Sequence, residues 1–211
     1  MIGYTRTWDS FDIEEYQRNG EILRKAIEEG TEIFGMENAS ARTFEAVKNA
    51  PMRGLCPTFT AVNDLDTAMH LREQGLTLPI LVLGQPDPED VSEYVKKLHH
   101  GFIAQSVETL KLARALSGRA MLFGGVLRLH LKVEMSSDGE GLHYLNEDDP
   151  IDDLAAAMCS GGTYCEGIFT ELSRSDGAEV NEQKISAFLR LADRLEEVRD
   201  RKIAVRHYFM K

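Results

Sequence analysis

The 211-residue chain has only three cysteines, one tryptophan and six prolines. Cys56, Cys159 and Cys165 are odd in number and their spacing fits no zinc pattern, so the expectation is a reduced, cytoplasmic protein with buried thiols. Long apolar runs are missing too: none approaches the roughly 20 residues of a spanning helix. The opening MIGYTRTWDSFD carries acids and has no apolar core, so no signal peptide is expected. Positive charge is scarce. Lysine plus arginine number 24 against 35 aspartate plus glutamate, for a net charge of −11, which argues against a nucleic-acid partner or an anionic membrane surface. There is no repeat beyond a recurring strand–helix unit, no low-complexity segment and no clear linker.

What the chain does have is alternation. Tyr4 to Phe11 alternates loosely, as a strand would, with Trp8 on one face. Glu14 to Glu29 spaces Tyr16, Ile22, Leu23 and Ile27 for one buried helical face, and Gly30 ends it. A short strand around Ile33 follows, then a helix at Phe44 to Ala50 stopped by Pro51. Thr58 to Val62 reads as the second strand, and Asp64 caps a helix over Leu65 to Gln74. Pro79 to Gly84 is a near-continuous apolar run, the pattern of a parallel strand buried on both faces. Pro86 to Leu98 reads as helix and Gly101 to Ala104 as a fourth strand; Ser106 caps a helix over Glu108 to Leu116. Val126 to Met135 alternates at period two, Asp138-Gly139 turns the chain, and Pro150 to Met158 is helical. Cys165 to Leu172 is a sixth strand, Val180 to Arg199 a long amphipathic helix and Lys202 to Phe209 a seventh strand.

Strands and helices alternating in units of about 25 to 35 residues imply an α/β fold with an all-parallel sheet. A doubly wound sheet and a TIM-type (β/α) barrel both fit. A full barrel takes about 250 residues, so a barrel here is incomplete, with about seven of eight βα units. In such a fold the residues just past a strand's C-terminal end line the site. After the first strand these are Glu37, Asn38, Ala39, Ser40, Ala41 and Arg42, and the stretch TEIFGMENASAR contains no lysine, histidine or cysteine.

Several stretches, in order and spacing, resemble the N-terminal, pyridoxal-phosphate (PLP) binding barrel domain of alanine racemases. They are Arg6-Thr7-Trp8 with Phe11-Asp12 and Asn19, and Leu65-Asp66-Thr67-Ala68 through Gly75 with Pro79 to Gly84. Leu129 to Glu134, Glu166-Gly167-Ile168-Phe169-Thr170 and Val205-Arg206-His207 complete the series. The resemblance covers nearly the whole chain and implies a single barrel domain over residues 1–211, with the family's C-terminal domain absent. It also implies an isomerase that uses PLP.

The catalytic positions that the resemblance implies carry different residues here. Counting from Trp8 without gaps puts Asn38 at the family's cofactor lysine and Arg42 at its tyrosine. Asparagine's amide nitrogen is not nucleophilic and cannot form the imine that racemisation needs. Lys48 lies in AVKNA, which mimics the lysine motif, but FEAVKNA matches the family's following helix better. In the loop after the fifth strand the family has an arginine near the cofactor; here Gly139 is nearest. After the sixth strand Glu171 stands where the family has histidine. After Arg206-His207 the family has an asparagine–serine pair near the phosphate, whereas this chain reads Tyr208-Phe209-Met210-Lys211. Gly161-Gly162 reads as a turn rather than a phosphate loop.

Three readings follow. The first is a catalytically degenerate racemase-like barrel, in which Asn38, Arg42, Gly139, Glu171 and His207 do not hold PLP, acting as a binding or interaction protein. The second is a PLP-dependent amino-acid racemase, or a racemase subunit completed by another chain, using Lys48 or a lysine supplied from elsewhere. The third is a metal-assisted activity built on Glu37, Glu134 and Glu171, with His207 near the end of the seventh strand. Elsewhere, His99-His100 suits a helix C-terminus, and His130 an interior, hydrogen-bonded place on its strand. Seven strands leave an open sheet edge, so the expectation is a homo-oligomer or a partner chain that covers it.

Overall fold

The computed structural model describes residues 13–28, 33–36, 59–137, 139, 141–146 and 148–210. The strand expected at Tyr4 to Phe11, the helix expected at Phe44 to Ala50, and Cys56 lie outside these residues. The chain forms two compact units, residues 1–80 and 81–211.

In the first unit, helix α1 (Ile13–Glu28) precedes strands β1 (Ile33–Met36) and β2 (Phe59–Val62), and helix α2 (Leu65–Glu73) follows. Asp64 caps α2 as the sequence implies, accepting from the Thr67 N–H at 2.7 Å and the Thr67 hydroxyl at 2.9 Å. Leu65, Ala68 and Leu71 then face inward. Asn19 of α1 is buried; its amide donates to Thr77 Oγ1 at 3.1 Å and accepts from the Thr77 N–H at 3.2 Å. These bonds tie α1 to the loop after α2.

One expectation is corrected here. β1 pairs with β2 antiparallel, Met36 opposite Phe59 and Ile33 opposite Val62, not parallel. The C-terminal end of β1 therefore lies beside the N-terminal end of β2. Alternation of strands and helices sets their order but not the direction of each strand, and here the register decides it.

In the second unit, strand β3 (Ile80–Val82) contributes Leu81 and Val82, which pair parallel with β4 (Ala104–Val107). Next comes β5 (Leu127–Glu134), then β7 (Thr163–Leu172), then β8 (Val205–Met210), all parallel. A two-residue strand, β6 (Leu142–His143), pairs parallel with the end of β5. The connecting helices are α3 (Ser92–Gly101), α4 (Leu110–Phe123), α5 (Asp152–Met158) and α6 (Gly177–Arg199). Leu129, Leu131, Ile168, Phe169, Phe188 and Leu191 are all at most 1 % exposed and form the centre of the core.

Boundaries shift where capping chemistry was misread. Gly101 ends α3 instead of opening β4. The chain turns at Phe102, in the left-handed region at φ 51°, and its N–H bonds back to the His99 carbonyl. Ser106 is no cap: it is buried in β4 and donates to the Leu83 carbonyl at 2.8 Å. Thr109 caps α4, accepting from the Leu112 N–H at 3.1 Å. β5 alternates in sequence yet is buried on both faces.

The end of α6 is fastened to β8 through Glu196, which is 7 % exposed. Its carboxylate accepts from Lys202 Nζ at 2.6 Å and the Ile203 N–H at 2.9 Å, and pairs with Arg206 at 2.7 Å. Burial alone would raise this carboxyl; the three donors outweigh it and hold it down to about 2. Its folded pKa is depressed, so its contribution is fully present above the unfolded value near 4.5 and is lost as pH falls towards 2. Glu196→Gln is expected to cost about 1–3 kcal/mol at neutral pH, measured by urea denaturation, and less at pH 3.

Candidate functional site

Side chains two apart on a strand share a face, and on β5 that rule aligns Arg128, His130, Lys132 and Glu134. In the parallel register His130 lies level with Ser106 of β4. On β7 the register slips: Leu129 pairs with Cys165 but His130 pairs with Gly167, so Glu166 is an extra residue. This bulge decides the site. Unbroken pairing would set Glu166, Ile168 and Thr170 on the polar face of β5. With the extra residue, Gly167, Phe169 and Glu171 take those places instead.

Two linked clusters result. Lys132, 7 % exposed, places Nζ 3.0 Å from a Glu171 oxygen and 3.2 Å from a Glu108 oxygen, joining the C-terminal ends of β4, β5 and β7. Burial works to lower its pKa, but the two carboxylates outweigh burial and hold it above the ordinary lysine range. In the second cluster His130 Nδ1 lies 2.8 Å from His207 Nε2. His130 Nε2 is 3.5 Å from Glu166, whose other oxygen is 3.8 Å from Arg128. Burial pushes the Glu166 carboxyl up, and His130 and Arg128 more than reverse it. His207 also stacks on Phe169, ring centres 5.0 Å apart. Burial first, and the charge of His130 second, press its pKa down to about 2. One ring nitrogen of the His130–His207 pair donates to the other, and His207 Nδ1 is buried with no hydrogen-bond partner among the described residues.

His130 reaches His207 across β7 because residue 167 has no side chain. A Cβ there would lie 2.7 Å from His130 Nδ1 and 3.0 Å from the Val205 carbonyl oxygen.

Among the residues singled out from sequence, Glu171 and His207 join these clusters, while Gly139 and Glu134 do not. Glu134 accepts from the Ser136 N–H at 2.8 Å and hydroxyl at 2.6 Å, and a Cβ at Gly139 would collide with its carboxylate. Glu134, Glu171 and His207 are each turned to a different partner, and Glu37, the further carboxylate of the metal reading, lies outside the described residues. Among the described residues no three His, Cys, Asp or Glu side chains form a metal-holding group. Glu37, Asn38, Arg42 and Lys48 lie outside the described residues. Cys165 is buried and pushed up to about 12 by burial, whereas Cys159 is exposed, contrary to the expectation of buried thiols. Lys132, Glu108, Glu166 and Gly167 were missed. The available signal was a charged residue at every second place of a strand whose neighbours cover both faces.

The family model for the alanine racemase N-terminal domain matches residues 11–210. The chain belongs to this family. Alanine racemase of Desulfovibrio desulfuricans is 28 % identical over 186 residues, 85 % of this chain and 47 % of that protein. Alanine racemase 1 of Bacillus subtilis is 30 % identical over 182 residues, 83 % of this chain and 43 % of that protein. The chain thus spans about half the length of these curated relatives or less. The solved alanine racemase of Clostridium difficile 630 in complex with cycloserine matches with a TM-score of 0.62 at 24 % identity, covering 92 % of this chain and 52 % of that chain. The fold is the α/β barrel type of the alanine racemase N-terminal domain. No helix among the described residues is long and apolar enough to cross a membrane.

Within this racemase-type sheet two outcomes are expected. Gly167→Ala forces His130 or β8 to move and should cost about 1–3 kcal/mol in urea denaturation. The depressed pKa of His207 means the unfolded chain binds the extra proton between its ordinary pKa near 6.5 and about 2. Stability should fall as pH drops below 6.5, and His207→Gln should flatten the slope between about pH 7 and 5, followed by Tm against pH.

Proposed function

We propose that this chain is a racemase-family barrel that does not run PLP chemistry and serves as a binding or interaction protein. One observation carries the reading: the buried amine on the site face, Lys132, is held between Glu108 and Glu171. The family is PLP-dependent, and PLP brings a phosphate and a phenolate oxygen. The described residues do not fit that group. Where the family resemblance places a histidine, this site has a carboxylate already paired with Lys132. Where it places an arginine, the loop offers Gly139, packed against the Glu134 carboxylate. An anion here would face carboxylates and compete for a cation already engaged by two of them. Breaking a buried ion pair costs about 3–5 kcal/mol. The exposed thiol of Cys159 and unpaired Cys165 support a reducing, cytoplasmic setting.

A second reading rests on the curated relatives, which are named alanine racemases at 28–30 % identity. Under it the chain is a racemase, or a subunit completed by another chain, with Lys48 as the imine-forming amine. The two readings part in one experiment. The purified chain is incubated with PLP, its visible spectrum taken before and after borohydride, and labelled peptides are mapped. The expected result is scattered labelling of surface lysines and no exchange of the alanine α-proton in deuterated water. A single trapped lysine with α-proton exchange would establish the second reading.

A further inference from the structure

Helix α4 carries Lys111, Arg114 and Arg119 and no acid, in a chain whose net charge is −11. Its inward face is apolar, with Leu112, Ala113, Leu116 and Ala120 buried. Its outward face is not the wholly polar surface that water favours. Gly118, Met121 and Leu122 are exposed there beside the three basic residues. Leu122 is 81 % exposed and Met121 62 %. At their C-terminal ends α3 and α4 lie side by side, with Phe123 edge-on to His99 at 5.4 Å. Phe102, 65 % exposed, follows α3, and Val126, 60 % exposed, follows α4, so both ends open apolar surface to water.

Lys111 meets Glu89 at 3.5 Å. Arg114 and Arg119 are exposed and have no carboxylate partner among the described residues. At 3.6 residues per turn they stand on either side of Gly118. Nothing within the chain calls for glycine at that position. Its φ is not in the left-handed region, and a Cβ there would meet no atom within 4 Å. In mid-helix only proline is less favourable than glycine. What glycine does provide is a gap in the outer surface, where the backbone of a second helix can come close.

We propose that the outward face of α4 docks an amphipathic helix of another protein, one whose apolar stripe is bordered by aspartate and glutamate. The incoming helix crosses α4 at Gly118, lays its apolar stripe on Met121 and Leu122, and pairs its carboxylates with Arg114 and Arg119. Charge selects this occupant. The strongly acidic remainder of the chain repels such a helix, whereas α4 offers it two arginines without carboxylate partners. The surface gives the interaction role proposed above a partner of stated chemistry. It uses no side chain of the Lys132 or His130 clusters, so helix docking and imine formation with PLP are read out separately.

The test uses the full chain and three synthetic helical peptides that share one leucine stripe, flanked by glutamate, by glutamine or by lysine. Binding is followed by fluorescence anisotropy. The glutamate peptide should bind at least about tenfold more tightly than the glutamine peptide, and the lysine peptide should bind weakest. Arg114→Glu with Arg119→Glu should invert that order, which a variant that had lost its fold could not do. Gly118→Leu should weaken the glutamate peptide about tenfold yet raise Tm by a few degrees, because leucine is the better helix former. Absence of binding, equal binding of all three peptides, or binding that survives Gly118→Leu would each overturn the proposal. So would occupation of the face by lipid or by a second copy of the chain. These would show as pelleting with phosphatidylglycerol vesicles, or as self-association, that is lost in the double arginine variant.

Discussion

A charged amine buried within a parallel sheet governs this structure. Strands covered on both faces are ordinarily apolar throughout, yet β5 carries Arg128, His130 and Lys132 on one side. An unpaired ammonium ion there is not tolerable, so the neighbouring strands must deliver carboxylates at hydrogen-bonding range. Glu108 follows β4 and Glu171 lies at the end of β7, both within 3.2 Å of Lys132. The remaining polar groups follow suit, Arg128 against Glu166 and His130 against both Glu166 and His207. The result is a face on which Lys132 and Arg128 are matched by carboxylates, while His207 Nδ1 is buried with no hydrogen-bond partner among the described residues.

Much of this fold could be read in the sequence, and the failures have physical causes. The cap at Asp64, the long helix before β8 and the strand from Leu127 to Glu134 were visible because each rests on local chemistry or a sustained period. β4 was placed too early because the left-handed residue that ends the helix is Phe102, a type that gives no warning of a helix end. The direction of β1 was misread because a strand's sense is set by its partner and not by its own residues. At the site, Glu171 and His207 were found but not their partners. A single extra residue at Glu166 moves half of β7 to the other face, and an alternating pattern does not reveal where such an insertion falls.

The same bulge explains why two kinds of chemistry sit side by side. On its near side Tyr164 and Cys165 keep the earlier register; Tyr164 takes Arg201 over its ring at 4.6 Å, and Cys165 donates to the Gly167 carbonyl. On its far side Phe169 and Glu171 meet His207 and Lys132. The polar face is thus assembled by a local irregularity in one strand, and the apolar core beneath it, Leu129, Leu131 and Ile168, is undisturbed.

The gap over Gly167 has a consequence for how β8 finds its place. Neighbouring strands lie about 4.8 Å apart, so the imidazoles of His130 and His207 together bridge roughly 10 Å, over a strand that offers them no side chain. A slip of β8 by two residues along β7 would keep every inward residue inward, and burial alone discriminates poorly against it. A slip towards the C-terminal end of β7 would carry His207 roughly 7 Å further from His130, and a slip in either direction would take it off the ring of Phe169. The histidine pair therefore acts as a pin through the sheet, picking one alignment from a set that hydrophobic patterning leaves nearly equivalent.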